Sequence, residues 1–134
     1  MNEFHLKIVT PDGLVYNGPA QELLVRTTTG DMGILAGHIN CVAPLGMGRA
    51  TVVIAGQKRY AACIGGMVSV VNGDVTLVTT TFEWAEDIDT RRAQRSYDKA
   101  QRILQDKTAS TTDIKLAEAR LKRALVRKSV SETK

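Results

Sequence analysis

The chain has 134 residues, 43% apolar and 24% charged, with a formal net charge of +4. That is the size of one domain, or of one domain with a short appendage, and so ordinary a composition excludes a globally disordered chain. The longest apolar stretch, Ala61 to Val71, falls short of the roughly 18–20 residues a bilayer span needs and is split by Gly65-Gly66, which excludes a membrane-crossing helix there.

Met1-Asn2-Glu3-Phe4-His5 has neither the basic flank nor the apolar core of a secretory leader, so an intracellular protein is expected. From Phe4 onward the apolar period is two: Phe4, Leu6 and Ile8 alternate with His5 and Lys7, as a half-buried strand requires. Pro11-Asp12-Gly13 then makes a turn, since proline fixes φ and glycine supplies positive φ. Leu23, Val25 and Thr27 alternate again before Thr29-Gly30-Asp31, and Gly33 to Gly37 reads as a glycine-flanked loop leading to His38. Arg49–Ile54 and Arg59–Ile64 flank Ala55-Gly56, and Met67–Val71 and Asp74–Val78 flank Asn72-Gly73, so each pair reads as a hairpin. Many short strands without an intervening helix pattern predict a compact antiparallel sandwich or barrel over residues 1–84.

After Glu83 the pattern changes, and no glycine or proline occurs from Ala85 to the end. Glu86, Asp87 and Asp89 suit the start of a helix, where carboxylates meet free N–H groups. Ala93, Tyr97, Ala100 and Leu104 form one amphipathic stripe. Lys107 to Thr112 is a polar break in which Ser110 and Asp113 have capping-box spacing. Ile114, Ala117, Leu121 and Leu125 form a second stripe, so residues 85–134 are expected to fold as an antiparallel two-helix hairpin. Its stripes are narrow and half alanine, which predicts a contact of marginal stability and therefore a mobile arm.

Charge divides at the same place. Residues 1–90 carry five basic and nine acidic side chains, and residues 91–134 carry thirteen basic and five acidic. The second part therefore calls for an anionic partner: nucleic acid, a membrane surface, a nucleotide or an acidic protein face. Catalytic motifs are missing: there is no phosphate-binding P-loop, no HExxH and no GxSxG. His5 reads as a solvated residue and His38 as a structural one. Glu83, Glu86, Asp87 and Asp89 read as a helix start rather than a Mg²⁺ site. Cys41 and Cys63 read as buried reduced thiols, although spacing alone does not exclude a disulfide. The expectation is a non-enzyme with no catalytic residues, no metal and no required cofactor.

Four segments, in order and in register, resemble the epsilon subunits of bacterial F-type ATP synthases. They are Thr10-Pro11-Asp12-Gly13 with Val15-Tyr16, the run Thr29-Gly30-Asp31-Met32-Gly33-Ile34-Leu35-Ala36-Gly37-His38, Gly65-Gly66 with Val75-Thr76-Leu77-Val78, and Ala85-Glu86-Asp87-Ile88-Asp89. The resemblance implies a central-stalk subunit at the cytoplasmic face of the plasma membrane, touching the membrane only through its complex. It implies that the sandwich holds the gamma subunit and rests on the c-ring. It implies that the helices, when extended, insert among the alpha and beta subunits and block ATP hydrolysis, with Arg120, Lys122, Arg123 and Arg127 as the basic inhibitory face.

The family also resembles this chain in an [IL]-D-x-x-R-A motif, here Ile88-Asp89-Thr90-Arg91-Arg92-Ala93 with Glu83 before it. It implies ATP as a regulatory ligand held by Glu83, Ile88, Asp89, Arg92 and Ala93, with Arg123 and Arg127 added on spacing alone. Lys99 stands where a further arginine would be expected, and an ammonium lacks the bidentate fork. The residues alone leave two readings of Asp89 and Arg92 open: an ATP contact, or a helix-start carboxylate beside a surface arginine. A different class, a small basic module for nucleic acid or an acidic protein partner, also fits the charge. For nucleic acid the hairpin offers only Tyr97 as a stacking aromatic, and for a membrane surface its apolar residues are small.

Overall fold

A computed structural model describes residues 2–133; Met1 and Lys134, the last of the thirteen basic residues counted above, lie outside the described residues. The chain divides into two compact units, Met1–Trp84 and Ala85–Lys134.

The first unit contains ten strands: β1 (Phe4–Thr10), β2 (Gly13–Ala20), β3 (Glu22–Thr27), β4 (Gly30–Leu35), β5 (Cys41–Pro44), β6 (Met47–Ile54), β7 (Gln57–Ile64), β8 (Met67–Val71), β9 (Asp74–Val78) and β10 (Thr81–Trp84). They form two five-stranded sheets ordered β2-β1-β9-β8-β5 and β10-β7-β6-β3-β4. The period-two pattern turns one face of each sheet inward. Leu6, Ile8, Val68, Val70, Val75 and Leu77 from the first sheet and Leu23, Val25, Ile34 and Val52 from the second are fully buried together. At one margin Phe82 and Trp84 meet edge to face at 5.0 Å, and the Arg59 guanidinium lies 3.8 Å over the Trp84 ring.

Turn chemistry sets the register. Ala55-Gly56 and Asn72-Gly73 both have two successive positive φ values, 51° and 76° in the first pair and 50° and 86° in the second, as two-residue hairpins demand. Gly66 answers a different need: a Cβ there would lie 2.0 Å from the Val78 carbonyl oxygen, so only glycine lets these backbones meet.

Three expectations are corrected. The sandwich is not wholly antiparallel, because β1 and β9 pair in parallel, His5 beside Asp74 through Val9 beside Val78. Parallel neighbours need a long crossover, and here the intervening strands supply it. The segment read as a loop from Gly33 is mostly strand: Gly30–Leu35 pairs with β3 and buries Ile34, leaving Ala36-Gly37 as the turn. Both cysteines are free; Cys63 is buried, but Cys41 only half so.

The second unit opens with a 3-10 turn, Ala85–Asp87, followed by α1 (Thr90–Gln105) and α2 (Thr111–Ser131). Asp89 caps α1, its carboxylate accepting from the Arg92 N–H at 3.0 Å. Between the helices the Asp106 carboxylate accepts from the Thr108 N–H at 2.9 Å and from its hydroxyl at 2.7 Å. Ser110 and Asp113 close a capping box at the start of α2. The buried positions are chiefly alanines: Ala93 and Ala100 on α1, Ala117 and Ala124 on α2. The second stripe therefore continues through Ala124 rather than Leu125, which is 51% exposed, because seven residues return a helix to nearly the same face and eight do not. No helix among the described residues is long and apolar enough to cross a membrane.

Candidate functional site

The residues proposed to meet ATP fall into different structural settings. Glu83 lies half-buried on β10 of the first unit, opposite Ala62 in register. The others belong to the second unit. Ile88 and Ala93 are buried, and the Ala93 N–H donates to the Asp89 carbonyl at 3.0 Å, so both serve packing and helix initiation.

Asp89 is committed to the helix start. The Arg92 N–H hydrogen bond is the main cause that holds its carboxyl below the usual carboxylate range; the Arg91 N–H and the charges of Arg95 and Arg92 add to it. Asp89 thus has a helix-cap role, one of the two readings that the residues left open. The Arg92 guanidinium is exposed and makes no salt bridge among the described residues, so it remains open to a phosphate.

Along α2, Arg120, Arg123 and Arg127 share one face. Lys122 stands about 200° around the helix from Arg120, so it does not belong to that face. Arg120 instead shares an open cleft of about 500 Å³ with Lys99 of α1, over Ile103 and Ala117. Asp106 and Asp113 also line the cleft, but both carboxylates already hold the turn and the cap.

The sequence reading missed the contact that ties the hairpin's far end. The Lys128 ammonium lies 5.4 Å over the Tyr97 ring, and Gln101 donates to the Tyr97 hydroxyl at 3.0 Å. The available signal was Tyr97 itself, the one aromatic residue in an alanine-rich stripe. Among the described residues no group of three or more His, Cys, Asp or Glu side chains is placed to hold a metal ion. His38 is occupied with backbone, its ring Nδ1 2.8 Å from the Ile39 carbonyl, and His5 stands at the surface with Nε2 2.6 Å from the Asn17 carboxamide oxygen.

Residues 3–85 match the family described as ATP synthase, Delta/Epsilon chain, beta-sandwich domain, and residues 86–132 match ATP synthase, Delta/Epsilon chain, long alpha-helix domain. The chain is 42% identical over 134 residues to the ATP synthase epsilon chain of Bacillus cytotoxicus, covering 100% of each. It is 38% identical over 135 residues to that of Ruminococcus albus, again covering 100% of each. Among solved structures it is similar in fold to a chain of the Euglena gracilis mitochondrial ATP synthase, with a TM-score of 0.83 at 23% identity, over 95% of this chain and 80% of that one. A chain in the central stalk and c-ring of the Tetrahymena thermophila mitochondrial ATP synthase is similar with a TM-score of 0.62 at 10% identity, over 97% of each.

Proposed function

The chain belongs to the ATP synthase delta/epsilon family, and from that membership we propose that it is a rotor subunit whose second unit regulates ATP hydrolysis. In this reading the sandwich joins the gamma subunit to the c-ring at the cytoplasmic face of a bacterial membrane. The hairpin is the regulatory arm: folded, it is silent, and extended it reaches the alpha and beta subunits and blocks hydrolysis. The chain itself carries out no catalysis and needs no cofactor.

The observation that supports this most is the alanine seam. Ala93, Ala100, Ala117 and Ala124 fill the hairpin's buried positions, and an alanine removes little apolar surface from water. Two helices held in this way open at small cost, while Arg120, Arg123 and Arg127 offer an acidic protein face the charge it would bind. ATP is the proposed regulatory ligand. Arg92 is its proposed phosphate contact, and Ile88, Asp89, Ala93, Arg123 and Arg127 of the same unit are the further candidates. A ligand that binds only the folded arm stabilises it by about 2.7 kcal/mol at a hundred times its Kd, enough to set the arm's position.

The test is truncation after Asp87 and reassembly with the rest of the enzyme. The shortened chain should still join the complex, and hydrolysis should rise. Unchanged hydrolysis would remove the inhibitory role. For ATP, calorimetry on the purified chain should give heat that is lost in Arg92→Ala; equal affinity in that variant would leave Arg92 as a surface charge.

A further inference from the structure

The buried seam of the hairpin is chiefly alanine, but the last turn of α2 is built differently. Ser131 continues the seam from Ala117 and Ala124 at seven-residue spacing, and it is buried. Val130 stands about 100° around α2 from that line, so α1 alone does not cover it. It is nevertheless only 1% exposed, whereas the same helix leaves Leu116 64% exposed and Leu125 51%. An antiparallel hairpin returns the end of α2 to the start of α1, and α2 packs against the 3-10 turn Ala85–Asp87 with which the unit opens. Ala85 and Ile88 are buried at the same end.

A helix end leaves carbonyl groups without partners inside the helix, and a glycine often follows to satisfy them. Here hydroxyl groups do so instead. The Ser131 hydroxyl donates to the Lys128 carbonyl at 2.7 Å, and Thr133 gives the Val130 carbonyl both its hydroxyl at 2.6 Å and its N–H at 3.0 Å. The Lys128 contact with the Tyr97 ring fixes the same turn against α1. Burying a valine or an isoleucine removes far more apolar surface from water than burying an alanine, so this end is the strongest point of an otherwise weak hairpin.

We propose that the last turn of α2 is the latch of the arm: Val130 closes on Ala85 and Ile88, and its release commits the hairpin to open. The effect on hydrolysis rests on the regulatory reading above and deepens it by naming the contact that holds the arm. Parting the helices near the Asp106–Thr108 turn exposes little more than alanine, so it costs little and reverses readily. Parting them at the other end exposes Ile88 and Val130 together. Ile88 immediately precedes Asp89, the cap of α1, so loss of the latch also loosens the first turn of α1, which carries Arg92. The folded arm and the closed latch are therefore one cooperative state, and a ligand at Arg92 that favours one favours the other.

The experiment is hydrogen exchange read by mass spectrometry on the full chain. Val130→Ala should speed exchange about tenfold in α1 and α2 and also in residues 85–89, far away in sequence, while strands β6 to β9 keep their protection. Val130→Thr keeps the shape but puts a hydroxyl into the dry contact, so it should act in the same direction without the cavity. Ile88→Val should show the reciprocal effect, speeding exchange in the last turn of α2 about threefold. Leu116→Ala, at an exposed position of the same helix, should stay within about twofold of the parent. Faster exchange confined to residues 126–133 in the Val130 variants would mark an ordinary fraying helix end and overturn the latch. Protection lost equally in the sandwich would overturn it as well. In the reassembled complex, Val130→Ala should inhibit hydrolysis about threefold more strongly than the parent does. An arm that opens by exchange while inhibition stays at the parent level would keep the latch and overturn the regulatory reading.

Discussion

Leucine at position 117 would open the hairpin. Ala117 is buried and lines the same cleft as Lys99 and Ile103, so it faces α1 from α2. The substitution adds three carbon atoms where the helices come close, and overpacking of this kind costs about 1–3 kcal/mol. Taking about 2 kcal/mol, the folded-to-open ratio of the arm falls about 30-fold. Hydrogen exchange read by mass spectrometry should show that loss of protection across α1 and α2 and none in the core strands β6 to β9. Leu125→Ala, at an exposed position of the same helix, should stay within about 0.5 kcal/mol of the parent. If the arm inhibits when open, Ala117→Leu should also inhibit hydrolysis more strongly than the parent. Unchanged protection in the helices would refute the alanine seam as the weak contact. Equal loss in the sandwich would refute the independence of the two units.

Three further outcomes are expected. Replacing Arg120, Arg123 and Arg127 with alanine should weaken inhibition of the complex most at low salt, where exposed charges act furthest, while the helix content holds; parent-like inhibition at low salt would discard the electrostatic contact. Because the folded Asp89 carboxyl lies below its unfolded value, its contribution to α1 is present above about pH 4 and lost as pH falls through the lowered folded value. Far-ultraviolet ellipticity should report that loss, and Asp89→Asn, still a cap but no longer titrating, should flatten it. Burial pushes the Cys63 thiol up to about 11, so at pH 8 a thiol reagent should modify Cys41 in the native chain and reach Cys63 only on unfolding; native labelling of Cys63 would mean that the sandwich opens.

The strand half was legible because its turns are chemically explicit. Asn72-Gly73 and Ala55-Gly56 are short enough to fix both the fold back and the register; the positive φ values were foreseeable at Asn72-Gly73, whereas the one at Ala55 was not. The parallel β1–β9 pair was not legible, since pairing between distant strands leaves no local pattern. Gly33 misled by composition: a glycine in a strand looks like a loop until its neighbour Ile34 is found buried. The helical half was legible in its caps, Asp89 and Ser110, and only partly in its stripes. Leucine looks like a core residue wherever it falls, so Leu125 was placed in the stripe, although helical geometry puts Ala124 there. In the site, Lys122 was placed with the arginines as part of one basic face, and the helix angle separates it. Which groups Asp89 binds depends on cap geometry, which the motif alone does not contain.

The parallel pairing also fixes an order of assembly. β1 sits between β2 and β9, and its partner on one side follows it at once, while the other is complete only at Val78. A chain leaving the ribosome can zip the β1–β2, β6–β7 and β8–β9 hairpins as each appears, but the first sheet cannot close until residue 5 meets residue 74. That closure joins the most distant residues of the unit and carries its largest loop entropy, which makes it the slow step. Until then β1 presents an open edge with Leu6 and Ile8 unburied. The nascent sandwich is therefore most vulnerable to aggregation just before β9 emerges, and fragments ending short of Asp74 should be the ones that chaperones hold.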